Sequence, residues 1–128
     1  MCMNYFIIDT QLPSLNDYIH KMNNHHQTGA KFKRDVEEEI SGYILLAKAQ
    51  RTLTPVTEYP VELNIEWHEK GEKRDVDNIK SAAKFILDAM KNSGIIKDDG
   101  RRYVSQIYDV IVNDKKTFVK VKITNQKN

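Results

Sequence analysis

The segment VELNIEWHE (residues 61–69) runs through KGEKRDVDN (70–78) into IKSAAKFILDAMKN (79–92). In the first block Val61, Leu63, Ile65 and Trp67 alternate with Glu62, Asn64 and Glu66. That period-two pattern predicts a strand with one buried face. In the last block Ile79, Ala82, Ala83, Ile86 and Met90 share one helical stripe, which predicts a helix from about Val76 to Asn92. Gly94 follows closely and suits the left-handed residue that ends a helix. A half-buried strand feeding an amphipathic helix through a charged segment sets the frame for the rest.

Upstream, YFIID (5–9) reads as a short strand, followed by a loop with Pro13. Residues 14–29 are polar with weak periodicity and read as mostly loop. Val36, Ile40, Tyr43, Ile44 and Ala47 recur at three- and four-residue spacing, so a helix is expected from Ala30 to about Arg51. Downstream, residues 103–113 and 117–124 are rich in Val, Ile, Tyr and Phe. Asn113-Asp114-Lys115-Lys116 separates them, and they read as a hairpin. The order β-α-β-α-β-β predicts an α+β domain, a mixed sheet with helices mainly on one face.

With 128 residues, 40% of them hydrophobic, the chain makes one domain, residues 1–128, with one core. The 20 basic and 18 acidic residues leave a net charge of +2, so nucleic-acid binding must rest on local clusters. Cys2 is the only cysteine, which excludes a disulfide framework and a cysteine zinc site. No apolar run approaches the roughly 18 residues that span a bilayer. The start, MCMNYFIIDTQ, lacks the features of a signal peptide. A cytoplasmic protein without membrane contact is the expectation.

The chemistry concentrates where the strand meets the helix. Asp75 and Asp77 are two apart, so in an extended or turning chain both carboxylates face one side. Asp98 and Asp99 lie beyond the far end of the helix. Carboxylates from separate loops form the hard, oxygen-rich set that Mg²⁺ prefers. The plainer reading makes Asp75 or Asp77 a helix N-cap and Asp98-Asp99-Gly100 a turn. Basic residues bracket both acid pairs: Lys73 and Arg74 before the first, Arg101 and Arg102 after the second. A metal-phosphate site needs such cations for the phosphates. Lys80 and Lys84 share a helical stripe with Asp77, where a lysine can stabilise charge at a scissile phosphate.

Taken in order, R74-D-V-D-N78, K84-F-I-L-D-A89 and G94-I-I-K-D-D99 resemble the RusA family of Holliday junction resolvases. L12-P-S-L-N-D-Y18 resembles that family's opening loop, which puts Asn16 among the DNA-contacting candidates. The resemblance spans almost the whole chain. It implies a small homodimeric endonuclease, often prophage-encoded, that cuts four-way junction DNA with Mg²⁺, or Mn²⁺ as a substitute. It also implies that Asp75, Asp77 and Asp99 are the essential metal-binding acids, with Asp98 a neighbouring candidate. A functional helix lysine is implied too. Counting back from Asp88 gives Lys84, and counting forward from Asp77 favours Lys80. Asp99 reaches the other acids only if its loop folds back along the polar helix face, which favours Lys84.

Weaker signals remain. Lys31, Lys33 and Arg34 form a basic start to the first predicted helix, unfavourable for its dipole unless a phosphate lies near. Lys115, Lys116, Lys120, Lys122 and Lys127 read as either edge-strand protection or DNA contacts. His25-His26 reads as a solvated loop, and Trp67 and Phe85 as core. Two other functions fit the same residues: a non-catalytic DNA-binding module, and a metal-dependent nuclease for another branched or linear substrate.

Overall fold

The computed structural model describes residues 4–24 and 26–125. The elements are β1 (Asn4–Ile8), α1 (Leu15–Asn24), α2 (His26–Ala49), β2 (Val61–Glu69), α3 (Val76–Lys80), α4 (Ala83–Asn92), β3 (Val104–Asn113) and β4 (Phe118–Asn125). One four-stranded sheet has the order β1-β4-β2-β3. β2 pairs with β3 in parallel and with β4 antiparallel, and β4 also pairs antiparallel with β1. This is the expected α+β arrangement with a mixed sheet.

The strand reading of 61–69 holds, with alternate residues from Val61 to Glu69 buried. Its inward residues join Phe6, Ile8, Val119, Val121 and Ile123 from neighbouring strands. Ile40 and Ile44 of α2 and Phe85, Ile86 and Met90 of α4 cover that face. The opposite face carries the more exposed residues, among them Ile7, Tyr108 and Val110. Trp67 and Phe85 are core residues, at 2% and 1% exposure.

The structure corrects three expectations. Residues 103–124 do not form a hairpin, because β4 pairs with β1 and β2 rather than β3. The 113–117 connection crosses the end of β2, where Asp114 N donates to Glu69 O and Lys70 N to Thr117 Oγ1. β4 is therefore interior, and its lysines do not protect an edge.

Second, residues 14–29 are largely helical. Ser14 and Asp17 form a reciprocal capping box: Asp17 N donates to Ser14 Oγ and Ser14 N to Asp17 Oδ2. α2 also starts earlier than Ala30, at His26. Gly29 lets the two helices close, since a Cβ there would collide with the side chain and Cα of Met22. Tyr18, Phe32 and Phe85 then stack α1, α2 and α4 together, with ring centroids 6.0–6.4 Å apart. His25 lies outside the described residues, as does the side chain of His26.

Third, the predicted helix 76–92 is two helices. Ser81 and Ala82 form a tight turn, with Ala82 N donating to Ile79 O and Phe85 N to Ala82 O. The Ser81 hydroxyl donates to Asn78 O and accepts from Leu15 N, which docks α1 at the break. The C-terminal stop is as expected: Gly94 has φ 76°. Gly94 N donates to Lys91 O and Ile95 N to Met90 O, the two bonds of a Schellman ending.

Candidate active site

The chain emerging from β2 is clamped before it reaches the acids. Arg74 donates to Glu69, 3.3 Å away, and to Leu12 O at 3.1 Å. Glu69 is itself buried. Arg74 is therefore a bracket between the opening loop and the strand end rather than a free phosphate contact. Lys73 beside it is exposed.

Asp75 occupies the N-cap position of α3 with extended backbone, yet its carboxylate makes no capping hydrogen bond. Both Asp75 and Asp77 are exposed. Asp77 Oδ1 accepts from Asn78 N at 3.0 Å. Asn78 Oδ1 accepts from Asn16 Nδ2 at 2.7 Å, so the start of α1 abuts the D-x-D-N segment.

The second acid pair comes from an anchored loop. Ile95 and Ile96 are buried, Val56 N donates to Ile95 O, and Lys97 N donates to Tyr59 Oη. The loop then folds back along α4. Asp98 lies 3.4 Å from Lys91, and Asp99 lies 3.8 Å from Lys84. The two aspartates differ in commitment. Asp98 Oδ1 accepts the Asp99 N–H, and that bond together with Lys91 holds its carboxyl below the usual range. Asp99 faces Lys84.

The two helix lysines point to different partners. Lys84 Nζ lies 3.5 Å from Asp88 and 3.8 Å from Asp99. Lys80 Nζ lies 3.9 Å from Asp109 on β3. Asp88 also meets Lys33 of α2 at 3.6 Å, and Lys33 meets Glu37 at 3.6 Å. Glu37 is raised by burial, and its Oε2 is buried without a hydrogen-bond partner among the described residues. Burial pulls the Lys33 ammonium down, but Glu37 and Asp88 outweigh it and leave Lys33 raised.

Lys33 is thus engaged within the fold, and Lys31 pairs with Asp35 at 2.8 Å. Both sit past the first turn of α2, so the argument from a basic helix start does not apply to them. Arg34 is exposed. Lys116 pairs with Asp9, Lys122 with Glu66, and Lys120 lies over the Tyr5 ring. Lys127 lies outside the described residues. The exposed cations nearest the acids in sequence are Lys70, Lys73, Lys80, Lys84, Lys91, Lys97, Arg101 and Arg102.

The acids are oxygen donors suited to a hard divalent cation. They belong to two groups in this structure: Asp75 and Asp77 at the start of α3, and Asp99 against Lys84. Among the described residues, no group of three or more His, Cys, Asp or Glu side chains is arranged to hold a metal ion. The donor chemistry fits the ion, and in this structure the three carboxylates stand as two separate groups.

A match to known families bears on this geometry. The profile described as Endodeoxyribonuclease RusA matches residues 10–124. The chain belongs to the RusA endodeoxyribonuclease family. The matched region takes in the opening loop, Asn16 at the start of α1, Asp75 and Asp77, both helix lysines, and Asp98 and Asp99. No curated protein matches the chain in a direct search. Among the described residues of this RusA-family chain, no helix is long and apolar enough to cross a membrane.

Two residues of the site escaped the sequence reading. Ser81 joins α1 to the helix break, and no local pattern marks it. Asp109 was legible: it interrupts the apolar register Ile107-x-Asp109-x-Ile111 on the covered face of β3.

Proposed function

We propose that this chain is a Mg²⁺-dependent, structure-selective endodeoxyribonuclease that resolves Holliday junctions by paired symmetric nicks. It acts in cytoplasmic DNA recombination and repair. The observation that carries the reading is the contact between Lys84 and Asp99, within a segment matched to a nuclease family. It joins the late acid to a helix cation on the unit that also bears Asp75 and Asp77.

Asp75, Asp77 and Asp99 are the acids that would hold the ion, with Asp98 as an outlying candidate and Mn²⁺ as a substitute. When bound, Mg²⁺ supplies positive charge that polarises a phosphodiester. The chain's own residues do the rest. Lys84 contributes a cation beside the scissile phosphate, where charge builds in the transition state. Asp88, 3.5 Å from Lys84, holds that ammonium on the polar face of α4. Lys73, Arg101 and Arg102 contact flanking phosphates, with Asn16 at the edge of the site. A four-way junction has approximate two-fold symmetry, so a C2 homodimer with one site per protomer makes the two nicks.

Incubation of a labelled synthetic four-way junction and a matched linear duplex with the protein tests this reading. Paired nicks in the junction alone, dependent on Mg²⁺ or Mn²⁺, are expected. Junction binding without nicking supports a non-catalytic module instead.

A further inference from the structure

Asp109 is a carboxylate in an apolar row. Across the helix-covered face of the sheet, its row reads Phe6, Val121, Ile65, Asp109. The first three are at most 1% exposed. A carboxylate in such a place loses hydration and needs partners in exchange. Oδ1 accepts from Trp67 Nε1 at 2.7 Å, and Oδ2 faces Lys80 Nζ at 3.9 Å. The Asp109 side chain is 15% exposed and that of Lys80 46%. The indole, fixed in the core, aims the carboxylate, and the carboxylate's other oxygen faces α3.

α3 has only five residues, and a single helical turn has little stability of its own. Its amides bond within the turn, Ile79 N to Asp75 O and Ser81 N to Asp77 O, each at 3.0 Å. Ile79 packs into the core, and Asn78 and Ser81 tie the turn to α1. Lys80 ties it to the sheet edge. A second carboxylate on this sheet face, the buried Glu69, is held by Arg74 and so braces the chain just before the turn.

We propose that Asp109 is a positioning residue of the nuclease site, acting through Lys80 to fix the α3 turn that carries Asp75 and Asp77. The purpose of the turn rests on the proposed function, whereas the tie itself does not. This assignment also separates the two lysines: Lys80 serves the scaffold and Lys84 serves the reaction.

Three single variants and one double variant test it by hydrogen exchange of the full chain. In Asp109→Asn the amide oxygen still accepts the indole bond, so only the charge is lost. Lys80→Met removes the ammonium and keeps the stem, and Lys80→Arg keeps a cation. Exchange at the Ile79 and Ser81 amides should rise at least about threefold in Asp109→Asn and in Lys80→Met. It should rise no further in the double variant, and stay near wild type in Lys80→Arg. Protection in β2 and the emission of Trp67, the only tryptophan, should not move. The kcat for junction nicking should fall about threefold in the same two variants with junction affinity unchanged. Unchanged α3 exchange in both variants, or additive effects in the double variant, overturns the proposal. If Asp109→Asn unfolds, seen as lost β2 protection, Lys80→Met carries the test alone. A wild-type chain that does not nick the junction defeats the proposed function, while α3 exchange still decides the role of Asp109.

Discussion

The Asp99 carboxylate lies 3.8 Å from the Lys84 ammonium, although fourteen residues of helix and loop separate the two in sequence. The contact exists because α4 ends in a Schellman turn at Gly94 and the loop returns along the helix. Ile95 and Ile96 sink into the core there, leaving Asp98 and Asp99 facing the polar side. On the proposed function, Lys84 is the lysine of the reaction. Lys84→Ala should lower the junction-nicking rate at least about tenfold, roughly 1.4 kcal/mol of transition-state stabilisation. Junction affinity should change far less. Lys80→Ala, measured in parallel, should show the smaller loss, and a larger loss there reverses the assignment.

The exposed acids at the start of α3 define the second prediction. Asp75→Asn or Asp77→Asn should reduce nicking at least about a hundredfold, by removing a proposed ligand. Junction binding should be unchanged or tighter in gel-shift titrations, because each variant also removes a charge that repels phosphate. Full activity of both variants in Mg²⁺ contradicts the assignment of these two aspartates.

The sequence placed the sheet's central strand and the D-x-D segment correctly because both are local patterns. Alternation in 61–69 and acids at two-residue spacing need no long-range information. The β3–β4 pairing was misread because a short polar link is equally compatible with a hairpin and with a crossing over β2. Only the sheet order, with β4 between β1 and β2, distinguishes them. The helix break at Ser81 is tertiary in origin: Leu15 N reaches the hydroxyl from a segment far off in sequence. The capping box Ser14-x-x-Asp17 was legible and was outweighed by the polar composition of 14–29. Arg74 was read as a phosphate contact, and no sequence rule announces that Glu69, at an inward strand position, would claim it.

Salt dependence follows from that division of labour. With a net charge of +2, junction affinity rests on local cations, and log K should fall linearly with log salt. Lys73→Gln should flatten the slope by roughly one contact. Arg74→Gln should act mainly on stability, since it frees the buried Glu69 and Leu12 O. Thermal melts and salt titrations of the two variants separate these outcomes.

A pH response is expected at the C-terminal end of β2. His68 Nδ1 lies 2.8 Å from Asp114 and Nε2 lies 3.1 Å from Glu66, with the ring stacked on Phe118. Hydrogen bonding to His68, joined by Lys122, holds Glu66 below its ordinary value of 4.5. The same histidine holds Asp114 below 3.8, with help from the Lys115 N–H. Carboxylates depressed in the fold add stability that is present above their ordinary values and lost as pH falls through the folded ones. The melting temperature should therefore drop as acid titrates both groups, below about pH 4.5 for Glu66 and below about 3.8 for Asp114. His68→Gln should lower it at neutral pH and blunt the acid-side drop. Parallel melting curves for the two proteins across that range contradict the clamp.

The most direct test of the account is the cleavage pattern on a synthetic four-way junction whose strands are labelled one at a time. In Mg²⁺, the wild-type chain should place nicks at symmetric positions on two opposing strands and leave the matched linear duplex intact, and neither substrate should be cut when EDTA removes the ion. Equal cutting of junction and duplex, or junction binding with no cutting in Mg²⁺ or Mn²⁺, contradicts it.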